Sequence, residues 1–397
     1  MVSYTDLEQD IAGDVNQQQL HNSSEAGKIN ELGMMAKDQD LPAPATTGTQ
    51  QKETKDQNLP APATTGTQQK ERKRYNPKIR VQSMGLSPMI VPLSAREGQN
   101  EVAARFETHV KELIENLKST ALETVREATS ELRILAKDLD NQILIASCGA
   151  ISPLVDLLRS SDMITQENAV TAVLNLSISN NNKVNIVKAE AIEPLIHVLQ
   201  TGTDEARENA AATLYSLSVF EENKIRIGNS GAIGALVDLL GNGTPRGRKD
   251  AATALFYLST CTDNRLTIVR SGAVKHLIDL MDPATGMVDR VVVVLANLAS
   301  GPEGRKAIAE AGGISLLVEA VELGSPRGKE NAAAALVHFC ADSNRYCRRV
   351  LEEGAVPPLV ILSMSGTSRA KEKANRILQH LRNLQAAYND IAGGSYT

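Results

Sequence analysis

The sequence predicts an all-α solenoid of about seven stacked units, three helices each, preceded by a disordered low-complexity arm. Three observations predict it. A turn signal ahead of a short apolar run recurs at Thr108, Gly149, Glu190, Gly231, Gly272, Gly312 and Gly354, with spacings of 40 to 42 residues. Within each unit, apolar residues return every three or four positions, the helical period. Finally, 42% of the 397 residues are apolar but only 3% are aromatic and none is Trp. Ala, Leu, Val and Ile suit helices packed closely and regularly, whereas compact irregular cores lean on aromatic bulk.

Residues 1–100 read as a flexible arm. The first 36 residues hold six acids and one Lys. A tandem duplication of 18-residue period follows: Lys37–Glu53 (KDQDLPAPATTGTQQKE) returns as Lys55–Glu71 with Asp40 exchanged for Asn58. Leu is the one large apolar residue of that unit, so it cannot bury enough surface to offset chain entropy. Next comes KERKRYNPKIR, Lys70–Arg80, with six bases in eleven residues. Such a run is read either as a nuclear-localisation or anionic-surface contact, or as a solvated charge run in a tail.

Residues 101–385 form the solenoid, and 386–397 a flexible tail. In each unit the first helix is short, as in Asn182–Val187 and Asn223–Gly228. The second follows the Gly-Ala-Ile signal, as in Ile151–Ser160 and Ile233–Asn242. The third is the longest, as in Gln166–Ser177 and Arg207–Ser218. Gly149, Gly231, Gly272 and Gly312 stand where the chain must turn between helices. Pro245 and Pro326 fall just before third helices, where a missing N–H costs nothing. Ala169, Ala172, Ala210, Ala251, Ala254, Ala332 and Ala335 line one face of successive third helices, which lets neighbouring units approach closely. The last third helix, expected to end near Leu384, carries extra charge, as a water-facing capping unit should.

Net charge of −5 and a pI near 5.8 argue against a dedicated nucleic-acid binder. Cys148, Cys261, Cys340 and Cys347 form no C-x-x-C pair, so reduced cytosolic or nuclear thiols are expected. The first thirty residues contain no apolar core of signal-peptide length. The longest strongly apolar stretch, Val291–Ala299, is too short to span a bilayer. A soluble, monomeric chain, cytoplasmic and/or nuclear, with no integral membrane segment, is the expectation.

Several stretches resemble the armadillo region of plant U-box/armadillo ubiquitin ligases. They are ATSELRILAKDLDNQILIASCGAI (Ala128–Ile151), QENAVTAVLNLSISNNNK (Gln166–Lys183), GNGTPRGRKDAATALF (Gly241–Phe256), MDPATGMVDR (Met281–Arg290) and GSPRGKENAAAAL (Gly324–Leu336). The resemblance covers roughly residues 102–385 and implies a right-handed armadillo superhelix. It does not extend to residues 1–100, which lack the Cys-Pro-Ile opening and Asp-Pro-Val step of a U-box; the one Asp-Pro, Asp282-Pro283, lies inside a unit. The chain thus resembles the substrate-binding part of such a ligase.

No catalytic, cofactor or metal residue is expected. The loops Gly241–Lys249 and Gly324–Lys329 look like phosphate cradles, but they lack P-loop spacing and recur with the repeat. The six histidines show no i, i+4 ligand pairing, although His338 and His380 share one repeat position. What remains is the inner groove that third helices line in armadillo proteins. Counting outward from the Ala pattern, it should expose Glu167, Thr171 and Asn175, then Glu208 and Ser216, then Lys249, Thr253 and Tyr257. Asp289 and Asn297, Glu330 and His338, and Arg376 and His380 continue the row, which Arg126, Ser130 and Ile134 begin. The acids Glu167, Glu208, Asp289 and Glu330 are expected to read Lys or Arg on an extended partner.

Three functions compete. The first is a protein-interaction scaffold that binds a partner or ubiquitination substrate. The second is a U-box-type ubiquitin-protein ligase. The third is a nuclear-transport adaptor, against which stands the absence of the Trp array that grips basic peptides in such proteins.

Overall fold

A computed structural model of the chain describes residues 93–393, with side chains from 103 to 387. The arm, its duplication, the basic run and the last residues of the tail lie outside the described residues. Among those described, the structure is helical throughout, with no strand.

The first unit contributes α1 (Leu93–Asn116) and α2 (Leu122–Leu135). Six units of three helices follow. They are α3 (Leu139–Ser147), α4 (Ile151–Asp156) and α5 (Met163–Leu176), then α6 (Asn180–Lys188), α7 (Ile192–Thr201) and α8 (Asp204–Leu217). The fourth unit is α9 (Glu221–Asn229), α10 (Ala232–Asn242) and α11 (Pro245–Thr260). The fifth is α12 (Thr262–Arg270), α13 (Ala273–Asp279) and α14 (Val288–Ala299). The sixth is α15 (Pro302–Glu310), α16 (Gly313–Leu323) and α17 (Pro326–Asp342), and the seventh α18 (Asn344–Glu352), α19 (Val356–Ser365) and α20 (Ser368–Gly393). Thus α20 runs beyond the expected end at Leu384.

Third helices pack on third helices in an unbroken series α2–α5–α8–α11–α14–α17–α20. All seven expected alanines on that series are fully buried. A methyl group fills the narrow gap between neighbouring helices and holds no polar atom to desolvate, so each unit completes its core only against the next.

The turns between first and second helices use the left-handed backbone. Gly231 has φ of 89° and Gly312 of 77°. At the equivalent place in the third unit stands Glu190, with φ of 57°, the one non-Gly residue with positive φ among those described. Its carboxylate meets Arg226 of the next unit at 3.2 Å. Pro245 and Pro326 occupy the first turns of α11 and α17.

Third helices begin about three residues before the sequence pattern suggests, because a capping side chain starts them. Asp162, Thr203, Thr244 and Ser325 accept from the backbone N–H three residues on. The fifth unit departs from this plan. A short turn at Pro283–Thr285 and Gly286 at φ of 65° precede α14, whose N-cap Met287 offers no side-chain hydrogen bond.

Their C-termini are capped from the next unit. Gln142 donates to Ala136, Asn182 to Leu176, Asn223 to Leu217 and Asn264 to Leu258, at 2.9 to 3.1 Å. These carbonyls are among the orphans that every helix end leaves. Cations stand beside Asn182 and Asn264, where Lys183 donates to the carbonyl of Ile178 and Arg265 to Ser259; in the sixth unit, where Gly304 replaces the asparagine, Arg305 itself donates to Ala299. Positive charge at a helix C-terminus also matches the helix dipole. Burial pulls the Lys183 ammonium down to about 8.

Candidate functional site

The third-helix row is where sequence expectation places recognition, and the structure divides its residues by what each side chain reaches. The acids bond forward to the next unit. The hydroxyl of Thr203, N-cap of α8, donates to Glu167 on α5 at 2.5 Å. Thr244 likewise donates to Glu208. Ser325 donates to both oxygens of Asp289 at 2.8 and 2.9 Å, and Thr367 to Glu330 at 2.6 Å. Each cap hydroxyl therefore accepts from its own helix and donates to the preceding one.

The first pair of the series inverts the chemistry. Arg126 holds the two oxygens of the N-cap Asp162 at 2.6 and 3.1 Å. That guanidinium keeps the Asp162 carboxyl well below the usual carboxylate range. Lys249 is the interruption: α14 has no capping hydroxyl for an acid to meet. The acids expected to form an open row reading basic side chains are also bonded within the stack. Their oxygens already accept from caps 36 or 37 residues downstream. A carboxylate so engaged costs less to bury, and Glu208 is only 7% exposed.

Thr253 and Tyr257, also expected to face a partner, are buried as well. Tyr257 stacks on Tyr215 with ring centroids 6.2 Å apart and meets Phe256 edge-on at 5.0 Å. Here aromatic bulk seals the joint between α8 and α11. Asn175 is half-buried and donates to the carbonyl of Arg133, Asn297 to the hydroxyl of Ser259, and Ser216 to the carbonyl of Ser177. Thr171 accepts from Asn209 at 2.8 Å. Lys249, Asp289 and Arg376 are exposed, and Glu330, His338 and His380 half-buried. Burial pushes Glu330 up, but hydrogen bonds from Thr367 and Lys373 outweigh it and leave it below its ordinary value.

Asp250, which the sequence did not single out, is the most perturbed acid of the joint. Burial pushes its carboxyl up to about 7, against the pull of Arg246 and with a further push from Glu208. Arg246 approaches to 3.6 Å, and one Asp250 oxygen has no hydrogen-bond partner. The sign follows from linkage. Below the ordinary carboxylate value of about 4, folded and unfolded chains both carry the proton. Between there and about 7 only the folded chain keeps it, so stability falls as pH rises through that window. Asp250→Asn is expected to flatten that fall and to raise the melting temperature above pH 7, measured by circular dichroism from pH 4 to 8. A variant whose melting tracks the unchanged chain at every pH would disprove the assignment.

Two other regions frame the row. An open cleft of about 530 Å³ lies on the second-helix side between α16 and α19, lined by Pro326, Lys329, Pro358, Ile361 and Thr367. Beside it Leu323, Ile361 and Met364 are 58 to 71% exposed. All four cysteines are free thiols, three of them buried. Among the described residues no group of His, Cys, Asp or Glu is placed to hold a metal ion, and no single helix is long and apolar enough to cross a membrane.

Comparison with known proteins adds the following. The sequence profile of the plant U-box protein ARM repeat region matches residues 109–390. U-box domain-containing protein 4 of Arabidopsis thaliana is 69% identical over 67 residues, 17% of this chain and 8% of the relative. U-box domain-containing protein 3 of the same plant is 55% identical over 107 residues, 27% of this chain and 14% of the relative. The chain thus matches less than a fifth of the length of these relatives. A crystal structure of an engineered protein superposes with a TM-score of 0.60 at 29% identity, covering 68% of each chain.

Proposed function

This chain belongs to the plant U-box protein ARM repeat family, and from that premise we propose that it is an armadillo scaffold that holds a partner or ubiquitination substrate for the ubiquitin system. One observation carries the reading. Seven third helices lie side by side in one unbroken series, and the alanines between them bury the joints while leaving a polar outer row. A stack needs neighbours for its core, not a continuous row of exposed and half-exposed polar side chains, so the row is surplus to folding. Exposed Lys249, Asp289 and Arg376 and half-exposed Glu167, Thr171, Asn175, Ser216, Asn297, Glu330, His338 and His380 are its contact residues. Buried Glu208, Thr253 and Tyr257 keep them in place. The partner is a protein, and the chain acts as a monomer in cytoplasm or nucleus.

The test uses the full chain as bait. A captured protein is purified and its affinity measured directly. Its ubiquitination is then followed with activating and conjugating enzymes, with and without a separate U-box ligase. The expected result is saturable binding and no ubiquitin transfer by this chain alone. Ubiquitin chains assembled without the added ligase would replace the scaffold reading with that of an enzyme. Failure of every captured protein to bind in purified form would remove it altogether.

A further inference from the structure

Along the row, the acid of one third helix stands in register with a residue of the next third helix 42 or 43 positions on. At the last joint these two are Glu330 and Lys373, 3.2 Å apart, a carboxylate met by an ammonium. Elsewhere Glu167 is followed in this register by Asn209, and Asp289 by Asn331. The joint between α8 and α11 is different, because there Glu208 is followed by a second acid, Asp250. Both are buried, at 7% and 5% exposed. One guanidinium serves the two. Arg246, in the first turn of α11, lies 3.3 Å from Glu208 and 3.6 Å from Asp250, and donates to Asn209 at 2.8 Å. Thr244 donates to the other Glu208 oxygen. The Asp250 oxygen that faces Arg246 has no hydrogen bond.

Folding alone gives no reason for this second acid. Asn168, Asn209 and Asn331 hold the same place in units two, three and six, and Arg290 and Lys373 in units five and seven. Asn209 donates to Thr171 at 2.8 Å and accepts from Arg246, so an amide satisfies the place without a charge to desolvate. The first unit's Glu127 is exposed and stays hydrated. Unit four, in contrast, buries a carboxylate and leaves one oxygen unbonded, which costs stability. An unmet acceptor of this kind marks a place for a donor from outside the chain. The way in is short. Arg246 is 45% exposed and lies over the pair, while Lys249, three residues on, is exposed with its ammonium bonded to neither acid.

We propose that the buried pair Glu208 and Asp250 is a subsite for one Lys or Arg side chain of the partner protein, and that Arg246 occupies it in the free chain and gives way on binding. This deepens the scaffold reading and rests on it. The chain's own guanidinium shows the chemistry that fits, a cation rich in N–H donors. It reaches Asp250 at ion-pair distance but without a hydrogen bond, so a donor entering at a better angle gains a charge-assisted bond that the free chain lacks. The two carboxylates are too few to hold a metal ion, since among the described residues no third His, Cys, Asp or Glu joins them.

The experiment is fluorescence anisotropy with the full chain and two labelled peptides: a Gly/Ser peptide carrying spaced Arg residues, and its citrulline counterpart, which keeps the shape and loses the charge. It is run above pH 7, where Asp250 is ionised. The Arg peptide is expected to bind more tightly. Asp250→Asn is expected to cost it about ten-fold. The fold should hold, since Asn stands at this place in three other units. Arg246→Gln is expected to tighten binding several-fold, because it removes the occupant. Lys249→Gln takes away the same charge from an exposed neighbour and is expected to tighten it only slightly. If Asp250→Asn melts early, the comparison of Arg246→Gln with Lys249→Gln decides alone. Equal binding of the citrulline peptide, full affinity in a folded Asp250→Asn, or equal gains from Arg246→Gln and Lys249→Gln would overturn the subsite. The two readings separate cleanly. A captured protein that keeps its affinity for Asp250→Asn leaves the scaffold and removes the subsite. Arg-peptide binding that Asp250→Asn weakens, with no captured protein binding in purified form, leaves the subsite and removes the scaffold.

Discussion

Ala254→Glu is expected to break the stack. Ala254 lies in the middle of α11, fully buried against its neighbours in the third-helix series. A glutamate there must bury a charge with no partner, at a cost of about 3–5 kcal/mol. It must also force apart helices spaced for a methyl group, about 1–3 kcal/mol more. The sum rivals the whole stability of an ordinary domain. Because each unit is stabilised only by its neighbours, damage at the fourth unit divides the array into two shorter pieces. The measurement is a circular dichroism melt with size-exclusion chromatography. A large drop in melting temperature, or aggregation, is expected. Ala386→Glu, at an exposed position on α20, should leave both unchanged. A melt of Ala254→Glu that matches the unchanged chain would show that the alanine face is not the joint.

The second large effect is expected at Asn264. Its amide is buried and donates to Leu258 of the preceding third helix at 3.1 Å and to Lys224 at 3.0 Å, tying three segments together. A Cβ on the facing Gly228 would lie 1.8 Å from the Asn264 oxygen, so the fit leaves no slack. Asn264→Asp keeps the shape and reverses the chemistry, turning the two donors into a carboxylate that faces two carbonyls. Leaving buried acceptors unpaired costs about 1–3 kcal/mol each, and the stranded charge adds to that. Asn264→Asp should therefore melt well below Asn264→Leu, which removes the donors without adding a charge. The variant carboxyl is driven up in the folded chain. Its stability should thus be best below the ordinary carboxylate value and be lost as pH rises. Equal melting of Asn264→Asp and the unchanged chain at neutral pH would remove the asparagine ladder from the account of what joins the units.

Much of this was legible in the sequence, because it depends on local chemistry repeated at a fixed period. The turn signals fixed the number of units, and Gly231 and Gly312 sit with positive φ where those signals fall. Pro245 and Pro326 open third helices as their lack of an N–H suggests. The alanines marked the joints, and every one of the seven is buried. An early start to α5, α8, α11 and α17 was also open to reading, since Asp162, Thr203, Thr244 and Ser325 are good caps.

The destinations of the polar side chains were decided by the tertiary structure. Period places Glu167, Glu208, Asp289 and Glu330 on one face of their helices, but it says nothing of the atom opposite. That atom belongs to a cap 36 or 37 residues away, brought within hydrogen-bond reach only when the units stack. The same holds for Tyr257, whose ring finds Tyr215 in the preceding unit and is buried. It holds again for His338, whose imidazole is held below its ordinary value by burial and by the charges of arginines on three other helices. A single sequence thus determined the repeat, the helices and the buried joints, since these follow from side-chain size and backbone freedom at each position. Which polar groups bind the stack together and which stay exposed was decided by how neighbouring units pack, which no one-dimensional pattern encodes.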